Sequence, residues 1–241
     1  TISGNKATDG AGLYLNGGTF ATAGNASVLS GNIATGMGGA IYNNINMTLD
    51  SLVSLTGNKA NQGGAVFNAS SLVLSDITVS DNSAVQGGAV YSDGTVTLNG
   101  VTISGNNAVD GAGLYLNGGS VTFESQTSAL SGNIATGMGG AFYTKINMTV
   151  NNLVSMTDNK AGKGGAVYID GGTVLMESVG MAGNEAADGA AFYLNAGRLD
   201  IFNSTVANHK GGYAVTVNGG KLYIVNSTIG LNAKGAETLP G

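Results

Sequence analysis

The acidic side chains are the residues of this chain best suited to chemistry, since two carboxyl groups at the right separation can cleave a polysaccharide. The sequence contains 14 acidic residues, 9 basic residues and one histidine. Glycosidases hold their two carboxyl groups about 5–10 Å apart. Asp9, Asp110 and Asp188 occupy the same position of different repeats, and Asp9 and Asp110 are 101 residues apart, so we expect these two to lie too far from each other for shared catalysis. The other acids that we considered show no pairing pattern: Asp76, Asp81, Glu124 and Glu177.

Other catalytic and metal-binding patterns are missing from the sequence. It has no cysteine, which excludes thiolate metal sites and cysteine nucleophiles. It also lacks the HExxH, GxSxG and phosphate-loop motifs and the calcium-binding Gly-Gly-x-Gly-x-Asp nonapeptide. The single histidine, His209, stands beside Lys210 and is interpreted as a turn residue. We therefore predict a protein that is not an enzyme and that has no catalytic residue, no cofactor and no metal site.

Composition narrows the classes of partner. The net charge is −5 and only 10% of the residues are charged, which argues against a nucleic-acid partner. No apolar stretch reaches the roughly 18 residues that a membrane-spanning helix needs. The chain begins inside a repeat, at Thr1-Ile2-Ser3-Gly4-Asn5. We interpret it as a segment of a longer protein that does not itself span a membrane.

Two nested repeats dominate the sequence. The short unit reads Gly-Gly-Ala-Val-Tyr at Gly87–Tyr91, and related units begin every 22 to 28 residues. The long unit contains four short ones: Ser30–Ala40 recurs letter for letter at Ser131–Ala141, 101 residues later. Periods of this size are typical of solenoids. We expect one continuous segment over residues 1–241, with an internal duplication of 1–101 and 102–202 and divergent last coils at 203–241.

Each repeat contains short stretches in which polar and apolar residues alternate, as they do in half-buried strands. Thr95–Leu98 and Val101–Ile103 are examples, separated by the turn signal Asn99-Gly100. Three such strands per repeat, without helical periodicity, predict an all-β parallel β-helix of about nine coils. We expect the middle strands to stack inward pairs in the order Ile45/Met47, Leu72/Leu74, Val96/Leu98, Val121/Phe123, Ile146/Met148, Leu199/Ile201 and Leu222/Ile224.

An asparagine follows the third strand of nearly every repeat. The positions are Asn5, Asn32, Asn58, Asn82, Asn106, Asn133, Asn159, Asn184 and Asn232, with Asn208 expected as a displaced member. A side-chain amide at a turn can bond to the amides of the coils above and below it, and it can satisfy backbone groups freed by the bend. We favour a structural ladder over contact with a ligand.

An aromatic column runs through the first strand of the repeats. Its members are Tyr14, Tyr42, Phe67, Tyr91, Tyr115, Tyr143, Tyr168 and Tyr193, each preceded by an aliphatic residue or Phe. Neighbouring strand positions face opposite sides, so one column is buried and the other exposed. We favour an aliphatic interior with the tyrosines outside. Stacking that stabilises the sheet is the favoured role of the rings, and binding of sugar rings or a partner protein is the alternative.

The segments Ser30–Tyr42 and Ser131–Tyr143 share the pattern Ser-Gly-Asn-x-Ala-x-x-x-Gly-Gly-Ala-Ile/Phe-Tyr. This pattern resembles the repeat of the polymorphic outer-membrane proteins, autotransporter adhesins with Phe-x-x-Asn and Gly-Gly-Ala-Ile/Leu/Val motifs. It is also similar to repeats in large cell-surface proteins of other bacteria. The resemblance implies a right-handed parallel β-helix, export to the cell surface, and adhesion or structural display without catalysis.

These features together predict a non-catalytic structural or adhesive rod on the bacterial cell surface. Its partners would be a protein or glycan on a host or neighbouring cell, or further copies of itself joined end to end into a fibre. The alternative is a polysaccharide-degrading lyase or glycosidase, or a carbohydrate-binding module, because β-helices also carry those functions.

Overall fold

The chain folds into one continuous solenoid of parallel β-strands. The computed structural model describes residues 1–22, 26–50, 52–151 and 153–238, and these residues form strands and turns but no helix. The solenoid has about nine turns, which confirms the predicted all-β parallel β-helix. The right-handed sense of the coil stays a prediction. None of the described residues belongs to an apolar helix long enough to cross a membrane, and residues 239–241 of the divergent last coils lie outside the described part.

Three faces run along the solenoid, each built from one strand per coil. The first sheet contains Leu13–Leu15, Ile41–Asn43, Val66–Asn68, Val90–Ser92, Leu114–Leu116, Phe142–Thr144, Val167–Glu177, Phe192–Phe202, Tyr213–Val217 and Lys234–Thr238. The middle sheet contains Phe20–Ala21, Asn46–Leu49, Ser71–Ser75, Thr95–Asn99 and Ser120–Phe123. Its face continues beyond Phe123 in Met148–Val150, in the second halves of the two eleven-residue strands of the first sheet, and in Lys221–Val225.

The third sheet is uninterrupted through ten strands. They are Ile2–Ser3, Ser27–Ser30, Val53–Thr56, Thr78–Ser80, Thr102–Ser104, Ser128–Ser131, Val154–Thr157, Gly180–Ala182, Thr205–Ala207 and Thr228–Gly230. Short two-residue strands follow it at the next corner, paired as Lys6–Ala7 with Ile33–Ala34, Asn107–Ala108 with Ile134–Ala135, and Glu185–Ala186 with Lys210–Gly211. At about 4.8 Å per strand, ten strands make a rod a little over 40 Å long.

The core is a set of stacked aliphatic columns inside the coil. Val96 pairs in register with Leu72 on one side and with Val121 on the other, as the repeat predicted. In two coils the alignment of the middle strand differs from the prediction. Met47/Leu49, and not Ile45/Met47, align with Leu72/Leu74.

The same two-residue correction applies one duplication later, where Met148/Val150 align with Val174/Met176 and Ile146 precedes the pair. Counted from the aromatic residue of the first strand, Met47 lies five positions after Tyr42 and Met148 five after Tyr143, as Val96 lies five after Tyr91, so these methionines and not the isoleucines occupy the first inward position. Because side chains alternate with a period of two, a shift of two residues keeps the same face inside, and Ile45 and Ile146 are still buried.

The Gly-Gly pair is required by the corner that precedes the first sheet. Gly63 has a φ of +65°, a conformation that side-chain-bearing residues rarely adopt. A Cβ on Gly64 would lie 2.3 Å from the carbonyl oxygen of Gly88 in the next coil. The first glycine therefore permits the bend, and the second permits adjacent coils to approach at this corner.

Candidate functional site

The aromatic column forms a continuous stack along the first sheet. Tyr14, Tyr42, Phe67, Tyr91, Tyr115, Tyr143, Tyr168 and Tyr193 pair in register, one per coil. Adjacent ring centroids are 4.3–5.3 Å apart and adjacent ring planes differ by 4–12°. The spacing of parallel strands thus places each ring face against the next.

The rings point away from the aliphatic core, as favoured, but the expectation that their column is exposed is wrong for most of it. Phe67 and the five tyrosines from Tyr91 to Tyr193 are only 3–6% exposed and form a separate apolar cluster. Ring stacking covers both faces of the rings from Phe67 to Tyr168 and one face of Tyr193, and the corner residues Met37 and Met138 pack against the stack. Tyr42 is half-buried and Tyr14 is 54% exposed, so only this end of the stack is open to a partner.

Burial favours the neutral form of the phenol groups of Tyr91 and Tyr143. Burial, helped by nearby Asp93 and Tyr115, raises the pKa of Tyr91 to about 12. Burial also raises the pKa of Tyr143, whose hydroxyl donates a hydrogen bond of 2.5 Å to Asp170. Lys145 adds a cation over this part of the stack, with its Nζ 5.8 Å from the ring centroids of Tyr115 and Tyr143.

The asparagine column forms a buried hydrogen-bonded ladder. The ladder runs from Asn5 to Asn184. In each step, the backbone N–H and the side-chain Nδ2 of one asparagine both donate to Oδ1 of the asparagine one coil later, at 2.8–3.1 Å. From Asn32 onward the Nδ2 atoms also donate to a backbone carbonyl of the preceding coil, as Asn58 does to Leu29. The amides satisfy the backbone at this corner and leave little free capacity for a ligand.

One coil after Asn184, the ladder position is occupied by His209 and not by Asn208. The register of Glu185 with Lys210 places His209 directly in the ladder. Asn208 instead has a φ of +57° and stands at the corner position that Gly183 fills one coil earlier. The interpretation of His209 as a turn residue and of Asn208 as a ladder member is therefore wrong, because the positive-φ corner fixes which residue turns inward.

His209 is buried, with 2% exposure, and neither ring nitrogen has a hydrogen-bond partner among the described residues. Burial lowers its pKa to about 4, and the backbone near Asn184 and Met181 opposes that shift only in part. Its backbone N–H donates to Oδ1 of Asn232, which continues the corner into the last coil.

Four of the acids lie at turns and corners: Asp9, Asp76, Asp81 and Asp110. Oδ1 of Asp9 accepts the backbone N–H of Met37 at 2.7 Å, and Asp110 makes the equivalent bond to Met138 at 2.9 Å. Burial raises the pKa of Asp110, partly offset by that N–H. Asp76 and Asp81 both occupy positive-φ turns. Within the described ranges, no group of three or more His, Asp or Glu side chains is placed to hold a metal ion.

Sequence reasoning missed a groove on the middle face. It has a volume of about 650 Å³ and lies where Ser120–Phe123 and Met148–Val150 meet without pairing. Its lining includes Thr122, Thr149 and Asp200. The sequence carries one usable signal: Phe123 stands in the second half of the duplication where the first half has Thr22.

Comparison with known proteins finds the Chlamydia polymorphic membrane protein repeat in two segments, residues 26–44 and 76–93. The first segment contains the motif at Ser30–Tyr42, and the second reaches from the third strand of one coil through Tyr91 in the next. No curated protein and no solved structure matches the chain.

Proposed function

We propose that this chain is part of a surface-displayed adhesin, in which the β-helix works as a stiff, non-catalytic rod that presents its outer faces to a partner on another cell. The observation that carries the proposal is the match of two segments to the polymorphic membrane protein repeat within an uninterrupted solenoid. That family lends the proposal its location, the outer membrane or cell surface. The partner would be a protein or a glycan.

The stacking of the coils supports a mechanical role. Most coils contact their neighbours through parallel strands on three faces, and from Tyr14 to Tyr193 the coils also share an aromatic stack and a buried asparagine ladder. Interactions that repeat in every coil resist bending at any one point, and they leave few loose loops for proteases. Such a rod holds a binding face at a distance from the surface that carries it.

The arrangement of the acids supports a non-catalytic role over that of a lyase or glycosidase. At the corners, Asp9 and Asp110 accept backbone N–H bonds, and Asp76 and Asp81 occupy positive-φ turns. Glu124 and Glu177 are exposed on separate coils. Incubation with polysaccharides should release no shorter products. Depolymerisation that depends on one of these acids would overturn this part of the proposal.

Adhesion is tested with beads that carry the folded chain, applied to cultured epithelial cells. We expect saturable retention that the soluble chain competes away, and no retention of beads carrying the denatured chain. Equal retention of folded and denatured chains, or none of either, would overturn the proposal. Protease shaving of intact cells that express the full gene tests the surface location, and a chain that survives shaving but is digested after lysis would contradict it.

End-to-end assembly into a fibre is the finer part of the proposal. It is supported by the repeat itself, because a coil of one copy presents nearly the same strand register as a coil 101 residues away. Sedimentation over a hundredfold range of concentration should show growing species. A single small species at every concentration would overturn the proposal of self-assembly without affecting the proposal of adhesion.

A further inference from the structure

The middle face is broken at one place between two adjacent coils. In the described part of the chain, no backbone hydrogen bond joins Ser120–Phe123 to Met148–Val150. The break opens the core slightly, because Val121 is 8% exposed and Phe123 is 7% exposed. Their partners one coil earlier, Val96 and Leu98, are fully buried at 0%.

The internal duplication supplies a comparison, because the same place in the first half is closed. Phe20 pairs with Met47, and Ala21 pairs with Thr48. The residues 101 positions later in the second half do not pair. The groove is therefore not a consequence of the repeat and arises from substitutions in the second half.

One such substitution removes a bond between the coils. In the first half, the hydroxyl of Thr22 bonds to the carboxylate of Asp50, and the backbone N–H of Asp50 donates back to Thr22 Oγ1 at 3.1 Å. The corresponding residues in the second half are Phe123 and Asn151, which make no such bond. The two strands lose the polar contact that holds them together.

A second difference moves an aromatic ring along the strand. The first half has Phe20 and Thr22 where the second half has Val121 and Phe123, and Ile41 becomes Phe142. The ring of Phe123 packs edge-to-face on Phe142, with centroids 6.2 Å apart and planes at 82°. A ring that changes position in a packed core forces the side chains and backbone around it to shift. We attribute the separation of the two strands to this repacking.

The groove lining is polar but carries little net charge. Hydroxyl groups come from Thr122, Thr149 and Thr173, and Leu175 adds an apolar patch. The single ionisable residue in the lining is Asp200, whose two carboxylate oxygens accept bonds of 2.7 and 2.8 Å from Arg198 Nε. Hydroxyls, amides and a paired carboxylate match the alternating donors and acceptors of a sugar, and the volume falls within the about 300–1,000 Å³ of ligand sites.

An aromatic residue extends this surface toward the last coil. Tyr223 follows Asp200 in the same outward column and is 44% exposed. The guanidinium carbon of Arg198 lies 4.2 Å from the centroid of its ring. An exposed tyrosine beside hydroxyl and carboxylate groups is a surface on which the apolar face of a sugar ring can pack.

Unpaired strand edges can also bind an extended peptide, but the distance between these two strands argues against that ligand. A strand inserted between two others needs edges about 9.6 Å apart, twice the spacing of neighbouring strands. Cα atoms of Ser120–Phe123 and Met148–Val150 approach within 8 Å of each other. The charge argues against sulfated or uronate glycans, since the lining offers them no unpaired cation and the chain carries a net −5.

We propose that this groove, opened between Ser120–Phe123 and Met148–Val150, binds a short uncharged oligosaccharide. It is the glycan contact of the adhesive role proposed above, on which this inference rests. The second half of the duplication has thus acquired a site that the first half lacks.

The test measures binding of the full chain to a glycan panel. The panel contains neutral oligomers of glucose, galactose, mannose and N-acetylglucosamine, beside sulfated and uronate-containing oligomers. We expect retention of one or more neutral oligomers. Thr149→Arg fills the groove from an exposed strand position and should weaken that binding at least tenfold. Thr48→Arg places the same side chain at the equivalent exposed position of the closed half and should leave binding within twofold.

A second variant closes the groove by copying the first half. Val121→Phe, Phe123→Thr, Phe142→Ile and Asn151→Asp together restore the residues that the closed coils have at these four positions, and a folded product should lose the neutral oligomers. Preference for sulfated oligomers, equal effects of Thr149→Arg and Thr48→Arg, or a native chain that retains no neutral oligomer would overturn the proposal. If the native chain adheres to cells but retains no neutral oligomer, adhesion stands and the groove is not its site.

Discussion

Asn82 donates two hydrogen bonds to one atom of Asn106. The backbone N–H and the side-chain Nδ2 of Asn82 both lie 3.0 Å from Asn106 Oδ1. The Nδ2 of Asn106 in turn reaches the carbonyl oxygen of Val79 at 3.0 Å, one coil back. A single side chain therefore bonds to both a backbone N–H and a backbone carbonyl at this corner, and the same arrangement recurs along the ladder.

Asn106→Ala should destabilise the solenoid strongly. It removes the acceptor of the backbone N–H of Asn82, one of the acceptors of Asn82 Nδ2 and the side-chain donor to the Val79 carbonyl, all buried, at a cost of about 2–4 kcal/mol. The midpoint of urea unfolding, followed by circular dichroism, measures the loss. Asn107→Ala is the matched control, because the neighbouring Asn107 is exposed, and it should shift the midpoint little. Equal shifts for the two variants would contradict a structural ladder.

Tyr115→Ala should destabilise the fold far more than Tyr14→Ala. Tyr115 is 4% exposed and stacked on both faces, whereas Tyr14 is 54% exposed and stacked on one. Truncation of a buried aromatic residue costs about 3–5 kcal/mol. Thermal unfolding of the two variants measures the difference. Similar melting temperatures would mean that the stack contributes little, and would favour a role for the rings outside stability.

The last coils should lose stability as the pH falls from 6.5 to 4. The pKa of His209 is lowered to about 4 by burial, from 6.5 in an unfolded chain. The neutral form is favoured on folding, so its contribution is complete above pH 6.5 and lost as the pH drops toward 4. The loss approaches about 3 kcal/mol, at 1.36 kcal/mol for each unit of pKa difference.

His209→Asn should remove this pH dependence. Asparagine at this position supplies the Oδ1 that the ladder uses elsewhere and does not titrate. Thermal unfolding at pH 7, 5.5 and 4 compares the two proteins, and the variant should be the more stable at every pH. A native protein with the same pH profile as the variant would show that His209 is not the titrating group.

Gly64→Ala should prevent correct stacking of its coil. The new Cβ would lie 2.3 Å from the carbonyl oxygen of Gly88 and 2.7 Å from that of Ser83. Both oxygens belong to the backbone of the next coil, which cannot move aside as a side chain could, so we expect a loss of several kcal/mol, at the upper end for single substitutions. Gly180→Ala is the control, because its Cβ would meet nothing within 4 Å. Unfolding midpoints that fall equally in both variants would contradict the close approach at the Gly-Gly corner.

The sequence by itself determined the architecture, because every feature that defines the solenoid recurs at a fixed period. Alternation in Thr95–Leu98 identifies a half-buried strand, and the recurrence of Asn82 and Asn106 after equivalent strands places them in one column. A local pattern repeated nine times constrains the fold more strongly than any single segment can. The Gly-Gly corners and the aliphatic interior follow from the same repetition.

Only the tertiary structure decided the features that depend on contacts between coils. Tyr115 alternates with its neighbours as an exposed residue would, yet stacking and a corner side chain bury it. His209 enters the ladder because Asn208 takes the positive-φ corner, a choice that spacing alone left to either residue. The groove beside Phe123 depends on how the ring of Phe123 packs on Phe142 in the adjacent coil, which is a contact between coils that no single repeat shows.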